Sequence, residues 1–225
     1  MKAAVFGTGR VGQTIAARLA ELGHTVTIGT RDPETTLSRT AADAMGTPPL
    51  AAWAADNPGI EVARFADAAA GAELIVNATN GSASLDALAQ AGAENLDGKV
   101  LLDIANPLDF SNGMPPTLLV KDTDSLGEQI QRAFPTARVV KALNTLTAEL
   151  QAYPARLPES GTVFVSGNDP AAKTTVTEIL KDFGHQDVID LGDITTARGT
   201  EMLMPVWLRL YSALGTPAFN FKIVR

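Results

Sequence analysis

Three glycines near the start of the chain have the spacing of a dinucleotide-binding loop. Gly7, Gly9 and Gly12 form G-x-G-x-x-G between an apolar run, Ala3 to Phe6, and a segment with helical periodicity, Gln13 to Leu22. The first glycine permits the tight turn, the second lets backbone amides approach a pyrophosphate, and the third lets helix and strand pack closely. The amides and dipole at the helix start favour phosphate. This predicts dinucleotide binding, against the alternative of an ordinary strand–turn–helix connection.

The residues after the second predicted strand indicate which dinucleotide binds. An NAD site usually carries an acidic side chain there, about twenty residues past the glycines, for the ribose 2′-hydroxyl. This chain has Thr30 and Arg31 instead. A guanidinium fork matches a phosphate, and a hydroxyl can donate a hydrogen bond to it. We therefore expect NADP(H), although a solvent-facing Arg31 and a ribose-binding Asp32 are alternatives.

Polar residues also follow the next two strands of the predicted sheet. Ala78, Thr79 and Asn80 end the fourth strand, and Asn106 and Pro107 follow the fifth. Ligands of open parallel sheets bind at the carboxyl ends of the strands, so we expect the first three to line the ribose and nicotinamide. Proline holds the preceding asparagine extended, which could present its amide to the cofactor. The alternative for the first loop is a polar turn without a ligand.

Strands and helices must alternate to position these residues. Apolar runs bounded by turn residues predict strands, and amphipathic segments predict the helices between them. The helix after Arg31 is predicted to begin at Asp32-Pro33 and to continue to about Ala44. The alternation predicts an α/β fold with a Rossmann doubly wound parallel sheet. Its strands are predicted at residues 3–6, 25–29, 60–65, 73–79, 100–105 and 137–143.

A small α/β segment is predicted after this sheet, so we divide the chain into an NADP-binding domain, residues 1–146, and a substrate and dimerisation domain, residues 147–225. Its last helix, residues 195–215, is predicted to be the longest and to kink or restart at Pro205. Its large apolar side chains predict a homodimer interface or the wall of a second-substrate pocket, with Met202, Met204 and Trp207 as candidates. Arg198 and Glu201 share one helical face and could hold each other or a substrate carboxylate.

Composition argues against several classes of function. The 225 residues are 45% hydrophobic and 19% charged, which is typical of a globular protein. A net charge of −7 and the lack of a basic run argue against nucleic-acid binding. The chain has no cysteine, which excludes disulfides, thiolate metal sites and cysteine nucleophiles and fits the cytoplasm. No run of about eighteen uncharged apolar residues and no leading apolar segment occurs, so we expect neither a membrane span nor a targeting segment.

No acid–base pair stands out in the sequence, and the catalytic residues are left unassigned. His24 and His185 both follow a glycine at the end of a predicted helix, where each is expected to be a helix C-terminal cation. Lys141, Asp103 and Asp109 are the positions available as proton donors if the second substrate is a ketone or an imine. Asp103 lies inside a predicted strand, where a structural carboxylate is expected.

Short segments along the chain also carry a family resemblance. They are G-T-G-R-V-G, G-T-R, N-A-T-N, D-I-A-N-P-L, V-V-K-A-L-N-T, V-F-V-S-G-N-D-P, D-L-G-D-I-T-T-A-R-G-T-E and F-N-F-K-I-V-R. With them the chain resembles, over nearly its whole length, the NADPH-dependent reductases of coenzyme F420, a deazaflavin, and related bacterial NADP oxidoreductases. The resemblance implies a Rossmann domain with a small C-terminal domain, a homodimer, and NADP contacts at Thr8, Gly9, Arg10, Val11, Thr30, Arg31, Thr79, Asn80, Ala105, Asn106, Pro107 and Ala142.

The implied reaction passes a hydride directly between the nicotinamide and the deazaflavin, so the protein mainly orients two planar rings. The chain departs from archaeal deazaflavin reductases at Ala78-Thr79-Asn80, where they tend to have T-I-P, and in an extension at residues 46–59. The nucleotide domain of membrane ferric reductases also looks similar around Ala197, Arg198 and Glu201. We expect an NADP(H)-dependent oxidoreductase with F420 as second substrate. A carbonyl or imine reductase, a ferric reductase and a non-catalytic NADP-sensing protein are the alternatives.

Overall fold

An eight-stranded sheet with helices on both faces forms the centre of the molecule, in a computed structural model that describes residues 1–43 and 46–225. The sheet order is β10-β9-β8-β5-β4-β1-β2-β3, and β6 and β7 form a separate hairpin. The strands are β1 (Lys2–Phe6), β2 (Thr25–Thr30), β3 (Glu61–Arg64), β4 (Leu74–Asn77), β5 (Val100–Asp103), β6 (Leu108–Asp109), β7 (Thr117–Leu118), β8 (Arg138–Ala142), β9 (Thr162–Gly167) and β10 (Asp187–Gly192).

Helices connect the strands, and three of them begin with a side-chain cap, one of which is the predicted start at Asp32. Asp32, Ser125 and Asp169 each accept a hydrogen bond from a backbone N–H in the first turn of the helix that follows. The helices are α1 (Arg10–Glu21), α2 (Pro33–Leu37), α3 (Leu50–Asp56), α4 (Phe65–Ala70), α5 (Ser84–Ala91), α6 (Ala93–Leu96), α7 (Leu126–Ala133), α8 (Ala148–Ala152), α9 (Pro170–Phe183), α10 (Ala197–Met202) and α11 (Met204–Leu214).

The order of the strands confirms the predicted Rossmann sheet. From β3 through β2, β1, β4 and β5 to β8 every neighbouring pair is parallel. The chain reverses direction across the sheet between β1 and β4, which is where open α/β sheets bind dinucleotides. Side chains of β1 alternate between two buried faces: Ala3 and Val5 join one core cluster, and Ala4 and Phe6 join the other. Burial on both faces explains why this strand is apolar throughout.

The C-terminal segment extends the same sheet. Strand β9 pairs with β8 in the antiparallel direction, with Val140 opposite Gly167, and β10 then pairs with β9 in parallel. The antiparallel edge lets a short α/β unit add to a parallel sheet without another crossover from β8. The division at residues 146 and 147 stays a prediction, because the two parts share one sheet.

Some predicted element bounds are wrong. The helix after Asp32 ends at Leu37, and the predicted end at Ala44 lies outside the described residues. The last helix is interrupted as predicted, since α10 ends at Met202 and α11 has Pro205 in its first turn. It is not the longest, because α9 has 14 residues and α11 has 11. Among the described residues, no helix has the length and apolar character needed to cross a membrane.

Candidate functional site

The glycine loop lies between β1 and α1, and each of its three glycines has a different environment. Gly7 has φ +126°, and a Cβ there would lie 2.3 Å from the carbonyl oxygen of Ala78. A Cβ on Gly12 would lie 2.0 Å from the carbonyl oxygen of Gly7. Gly9 caps α1, and a Cβ there would meet nothing within 4 Å. Packing therefore requires the outer two glycines, whereas the middle one faces the open space expected for a pyrophosphate.

The end of β2 presents one hydroxyl and one cation to the same region. Thr30 is buried, and its Oγ1 lies 3.0 Å from Oγ1 of Thr36. Arg31 is exposed and forms no ion pair with any described residue. Asp32 is engaged as a helix cap: its Oδ1 accepts the Thr35 N–H, and this bond lowers the pKa of the carboxyl. The cap favours Arg31 over Asp32 as the group that meets the adenosine ribose.

A cavity of about 340 Å³ lies between the glycine loop and residues 36–50, which follow β2, and we name it the adenosine-side cavity. The side chain of Gln13 holds its far wall in place, since Nε2 donates to the carbonyl of Thr8 at 3.0 Å and to that of Pro48 at 3.1 Å. The cavity therefore lies between the phosphate loop and the connection that follows β2. Its lining consists of Thr8, Gly9, Thr36, Arg39, Ala41, Ala42, Asp43, Thr47, Pro48, Pro49 and Leu50.

A second cavity, of about 270 Å³, lies at the carboxyl ends of β4 and β5, and we name it the strand-end cavity. Six of the predicted cofactor-binding residues line it, together with apolar side chains from the hairpin and from the turn after β8. Most of its walls are apolar side chains or backbone, which suits a planar ring. Its lining consists of Val11, Ala78, Thr79, Asn80, Gly81, Ile104, Ala105, Asn106, Leu108, Phe110, Leu146 and Gln151.

Two polar side chains in this lining bind other protein groups. The Thr79 hydroxyl donates to Oδ1 of Asn77 at 2.7 Å, so its one proton is already used. The Asn106 amide donates to the Asn144 carbonyl at 2.7 Å and accepts from the Asn144 side chain at 3.0 Å. The side chain of Asn106 therefore has protein partners at both ends of its amide, and its contact with the cofactor stays a prediction. These two bonds join the turns after β5 and β8, and the Asn144 side chain also donates to the Thr200 carbonyl at 3.0 Å.

The other predicted contacts lie outside the strand-end cavity. Pro107 and Ala142 are buried, and neither lines it. Arg10, in the first turn of α1, is exposed and lies 3.8 Å from Glu149. The cofactor contacts of all these residues stay predictions.

Sequence reasoning missed several residues of the strand-end cavity. Leu108 and Phe110 come from the β6–β7 hairpin, Leu146 from the turn after β8, and Gln151 from the short helix α8, none of which a periodic pattern marks. Gly81 is different, because its residue type indicates a close approach of two backbones. A Cβ there would lie 2.0 Å from the Asn106 carbonyl oxygen, and only glycine fits. This close approach brings the loops after β4 and β5 together.

The three candidate proton donors are not placed for acid–base chemistry. Lys141 and Asp103 are fully buried, and Lys141 Nζ lies 2.8 Å from Asp103 Oδ2 and 2.8 Å from Glu201 Oε1. Burial alone would lower the pKa of Lys141, but the two carboxylates outweigh it and the pKa is raised. Asp109 accepts the Ser111 N–H, which lowers its pKa and keeps it ionised. Lys141 is therefore a buried structural cation, and its ammonium group is not exposed to a substrate.

The buried charges also hold α7 against the C-terminal segment. Glu201 accepts the backbone N–H of Leu126 at 2.8 Å and that of Gly127 at 3.1 Å. Arg198 donates to Glu128 from Nε at 2.8 Å, which lowers the pKa of that carboxyl. The expectation that Arg198 and Glu201 hold each other is wrong, because both bind α7.

Two further expectations are corrected by the structure, and a third stays a prediction. His185 is buried, its Nε2 lies 2.9 Å from the Gln151 carbonyl, and burial lowers its pKa, so it is a neutral ring and not a helix-end cation. The pKa of His24 is also lowered, by partial burial and the N-terminal amine. Met202, Met204 and Trp207 do not line the strand-end cavity.

Among the described residues, no group of three or more acidic, histidine or cysteine side chains is arranged to hold a metal ion.

Comparisons with known proteins agree with this geometry. Residues 2–107 match the family described as "NADP oxidoreductase coenzyme F420-dependent". A crystal structure from Arthrobacter sp. FB24, described as that of a candidate F420-dependent NADP-reductase, is 63% identical, with a TM-score of 0.97 and full coverage of both chains. The F420-dependent NADP reductase of Methanocaldococcus jannaschii is 29% identical over 96% of both chains. Rat metalloreductase STEAP3 is 26% identical over 92% of this chain, which spans only 38% of that protein.

Proposed function

The chain belongs to the family of F420-dependent NADP reductases, and from this premise we propose that it transfers a hydride between NADPH and the deazaflavin ring of coenzyme F420. It is an NADP-dependent oxidoreductase of Rossmann fold. The proposal extends to its substrates because the relatives that it covers almost completely are named for the same pair.

One observation carries the proposal: the strand-end cavity adjoins the glycine loop and has apolar walls. Val11, from the first turn of α1, lines it directly beside the loop that is expected to hold the pyrophosphate. A nicotinamide extending from that loop would enter the cavity at this side. Ile104, Leu108 and Phe110 then present apolar surface to a second ring. Stacked rings need alignment and a dry surface more than they need charged groups.

The hydrogen bonds around the cavity support ring-to-ring transfer over reduction of a ketone or an imine. Reduction of a carbonyl carbon requires a proton for the oxygen, and a side chain must deliver it. Lys141 and Asp103 are closed within the protein, and Asp109 is held ionised by Ser111. In a deazaflavin the ring system takes up the charge, so no such donor is required.

A labelled-hydride experiment tests the reaction. NADPH deuterated at nicotinamide C4 is mixed with oxidised F420, and the deazaflavin product is examined by mass spectrometry. We expect the deuterium at C5 of the deazaflavin, with FMN, ferric chelates and cyclic imines turned over far more slowly. Deuterium lost to water, or faster turnover of an imine or a ferric chelate, would contradict the proposal. Absence of turnover with every acceptor would favour an NADP sensor.

A pair of variants on the hairpin tests the site. Phe110 lines the cavity, whereas Met114 lies on the same hairpin, 70% exposed, and does not line it. Loss of one aromatic contact amounts to about 1 kcal/mol, so Phe110→Ala should raise the KM for F420 roughly fivefold. Met114→Ala should leave it unchanged. Equal effects in the two variants would place the deazaflavin elsewhere.

We also propose that the protein is a cytoplasmic homodimer that uses the outer face of α11. Val206 and Leu214 on this helix are 50% and 56% exposed, and Trp207 stacks on Phe219 with ring centres 5.3 Å apart. Exposed apolar side chains grouped on one helix are typical of a surface that a second copy covers. Light scattering should report a dimer, and Trp207→Asp should reduce it to a monomer that still binds NADPH. A monomeric wild-type protein with full activity would end this proposal.

A further inference from the structure

One side-chain donor in the strand-end cavity has no protein partner. Four polar side chains line this cavity, those of Thr79, Asn80, Asn106 and Gln151. The Thr79 hydroxyl and the Asn106 amide already donate to protein groups, and Nε2 of Gln151 donates to two backbone carbonyls at 3.1 Å each. Nδ2 of Asn80 donates to no described residue. Asn80 is therefore the one amide in this lining whose donor nitrogen is wholly open to a ligand.

The oxygen of the same amide is held in place. Oδ1 of Asn80 accepts the backbone N–H of Ser82 at 3.2 Å and the Ser82 hydroxyl at 3.0 Å. An amide oxygen accepts and an amide nitrogen donates, so these two bonds decide which way round the group lies. They leave Nδ2 with both of its protons free. Because Asn80 is exposed, this nitrogen can reach a ligand in the cavity.

The loop that carries Asn80 packs against the glycine loop. Asn80 follows β4, which pairs with β1 in the parallel direction. The N–H of Ala78 donates to the Phe6 carbonyl at 2.8 Å, and a Cβ on Gly7 would lie 2.3 Å from the Ala78 carbonyl oxygen. Val11, from the first turn of α1, lines the same cavity. Asn80 therefore lies on the side of the cavity where the nicotinamide is expected to enter.

A nicotinamide ring carries one strong hydrogen-bond acceptor, the oxygen of its carboxamide. We propose that Nδ2 of Asn80 donates to this oxygen and that Ser82 is the positioning residue that holds the Asn80 amide for it. A cavity with mainly apolar walls fixes the orientation of its ligand through a few placed polar groups. This bond would resist rotation of the ring about its bond to the ribose, a rotation that exchanges the two faces of the ring.

The bond therefore selects the face from which the hydride leaves, and such alignment contributes strongly to transfer between stacked rings. The inference rests on the NADP(H) function proposed above, because it names the group that orients the nicotinamide.

Isothermal titration with two ligands tests the proposal: NADPH, and 2′-phospho-ADP-ribose, which is the same molecule without its nicotinamide. Asn80→Asp keeps an oxygen that accepts from Ser82 and removes both donor protons. A neutral hydrogen bond corresponds to about fivefold in affinity. We expect NADPH to bind this variant at least about fivefold more weakly, and the fragment to bind within about twofold of wild type. Asn112→Asp, at an exposed position of the hairpin that does not line the cavity, adds the same charge and should change neither affinity.

A second pair of variants tests the positioning role of Ser82. Ser82→Ala removes one of the two bonds to Oδ1 and leaves Asn80 itself intact. We expect it to weaken NADPH about two- to threefold and the fragment not at all. Ser82→Thr keeps the hydroxyl and should restore the wild-type affinity. Equal NADPH affinity in wild type and Ser82→Ala would remove Ser82 from the proposal.

The outcomes separate this proposal from the proposed reaction. Unchanged NADPH affinity in Asn80→Asp, or equal losses for NADPH and the fragment, would overturn it. A variant that binds NADPH normally but F420 more weakly would place the amide against the deazaflavin and overturn it as well. The titrations contain no acceptor, so the expected losses in a protein that reduces no deazaflavin would overturn only the reaction. Deuterium transfer to F420, with NADPH affinity unchanged in Asn80→Asp, would overturn only the role of Asn80.

Discussion

The two cavities of this protein differ in what their polar groups do. Around the adenosine-side cavity, a cation remains available, because Arg39 lines it, is exposed and has no ion pair among the described residues. Around the strand-end cavity, most polar side chains bind other protein groups, as Asn106 does with Asn144, although the buried Oε1 of Gln151 has no partner among the described residues. The adenosine-side cavity therefore has a cation available for a charged ligand, whereas the strand-end cavity presents mainly apolar surface.

This difference corresponds to two roles within one site. Recognition of a phosphate needs donors that are fixed but still open, since each bond is made to the ligand. Alignment of two rings needs walls that do not move, and buried ion pairs supply this rigidity without contacting the ligand. Lys141 has the second role, because its partners Asp103 and Glu201 belong to β5 and α10 and the ion pairs link the sheet to the C-terminal helices.

The largest effect is expected from removing the buried lysine. Lys141→Met leaves two buried carboxylates without a counter-charge, so the free energy of unfolding should fall by about 3–5 kcal/mol. Urea denaturation measures it. Lys173→Met is the matched control, because its ion pair with Asp190 is half exposed at the aspartate and should contribute at most about 1 kcal/mol. Similar losses in the two variants would show that the rear of the strand-end cavity is no more rigid than the surface.

The glycine loop offers a second contrast, at the open end of the site. Gly9→Val should reduce NADPH affinity at least about a hundredfold, or close to 3 kcal/mol, because its side chain enters the space expected for the pyrophosphate. The melting temperature of the free protein should stay near that of wild type, since a Cβ there meets nothing within 4 Å. Gly7→Val should instead destabilise the fold, because its Cβ meets the backbone of Ala78. Unaltered NADPH affinity in Gly9→Val would remove the loop from the site.

Removal of one exposed cation, Arg31, should have a smaller effect on NADPH affinity. Arg31→Ala removes charged hydrogen bonds of about 1.5–3 kcal/mol, so NADPH affinity should fall roughly ten- to a hundredfold. NADH affinity should hardly change, because NADH lacks the 2′-phosphate. Titration with both cofactors measures the ratio, and an equal loss for both would show that Arg31 is structural.

The smallest effect is expected on the stability of the fold as the pH is lowered. Hydrogen bonds from Arg132 lower the pKa of Asp124 to about 2, and those from Arg198 lower the pKa of Glu128. Both pKa values lie below the ordinary 3.8 and 4.5, so these groups stabilise the fold above that range. The contribution of Asp124 is lost as the pH falls toward about 2, and that of Glu128 is lost as the pH falls through its lowered pKa. Urea unfolding at several pH values should show this loss, and Arg198→Ala should reduce its size. A profile in Arg198→Ala that matches wild type would mean that the pair does not stabilise the native state.

The sequence by itself determined the sheet and the open end of the site. The glycine spacing, the apolar strands and the lack of an acidic residue at Thr30 are local patterns that neighbouring residues are enough to reveal. The α7 cap at Ser125 and the restart at Pro205 follow equally from neighbouring residues.

Only the tertiary structure decided which residues form the strand-end cavity and which partners its polar groups have. Asn106 meets Asn144, and Glu201 meets Lys141, across 38 and 60 residues of chain, and no spacing rule links such distant positions. His185 looks like a helix-end cation in the sequence, but packing buries it and leaves it neutral. Partner choice depends on which elements the fold brings together, and that is a property of the folded chain.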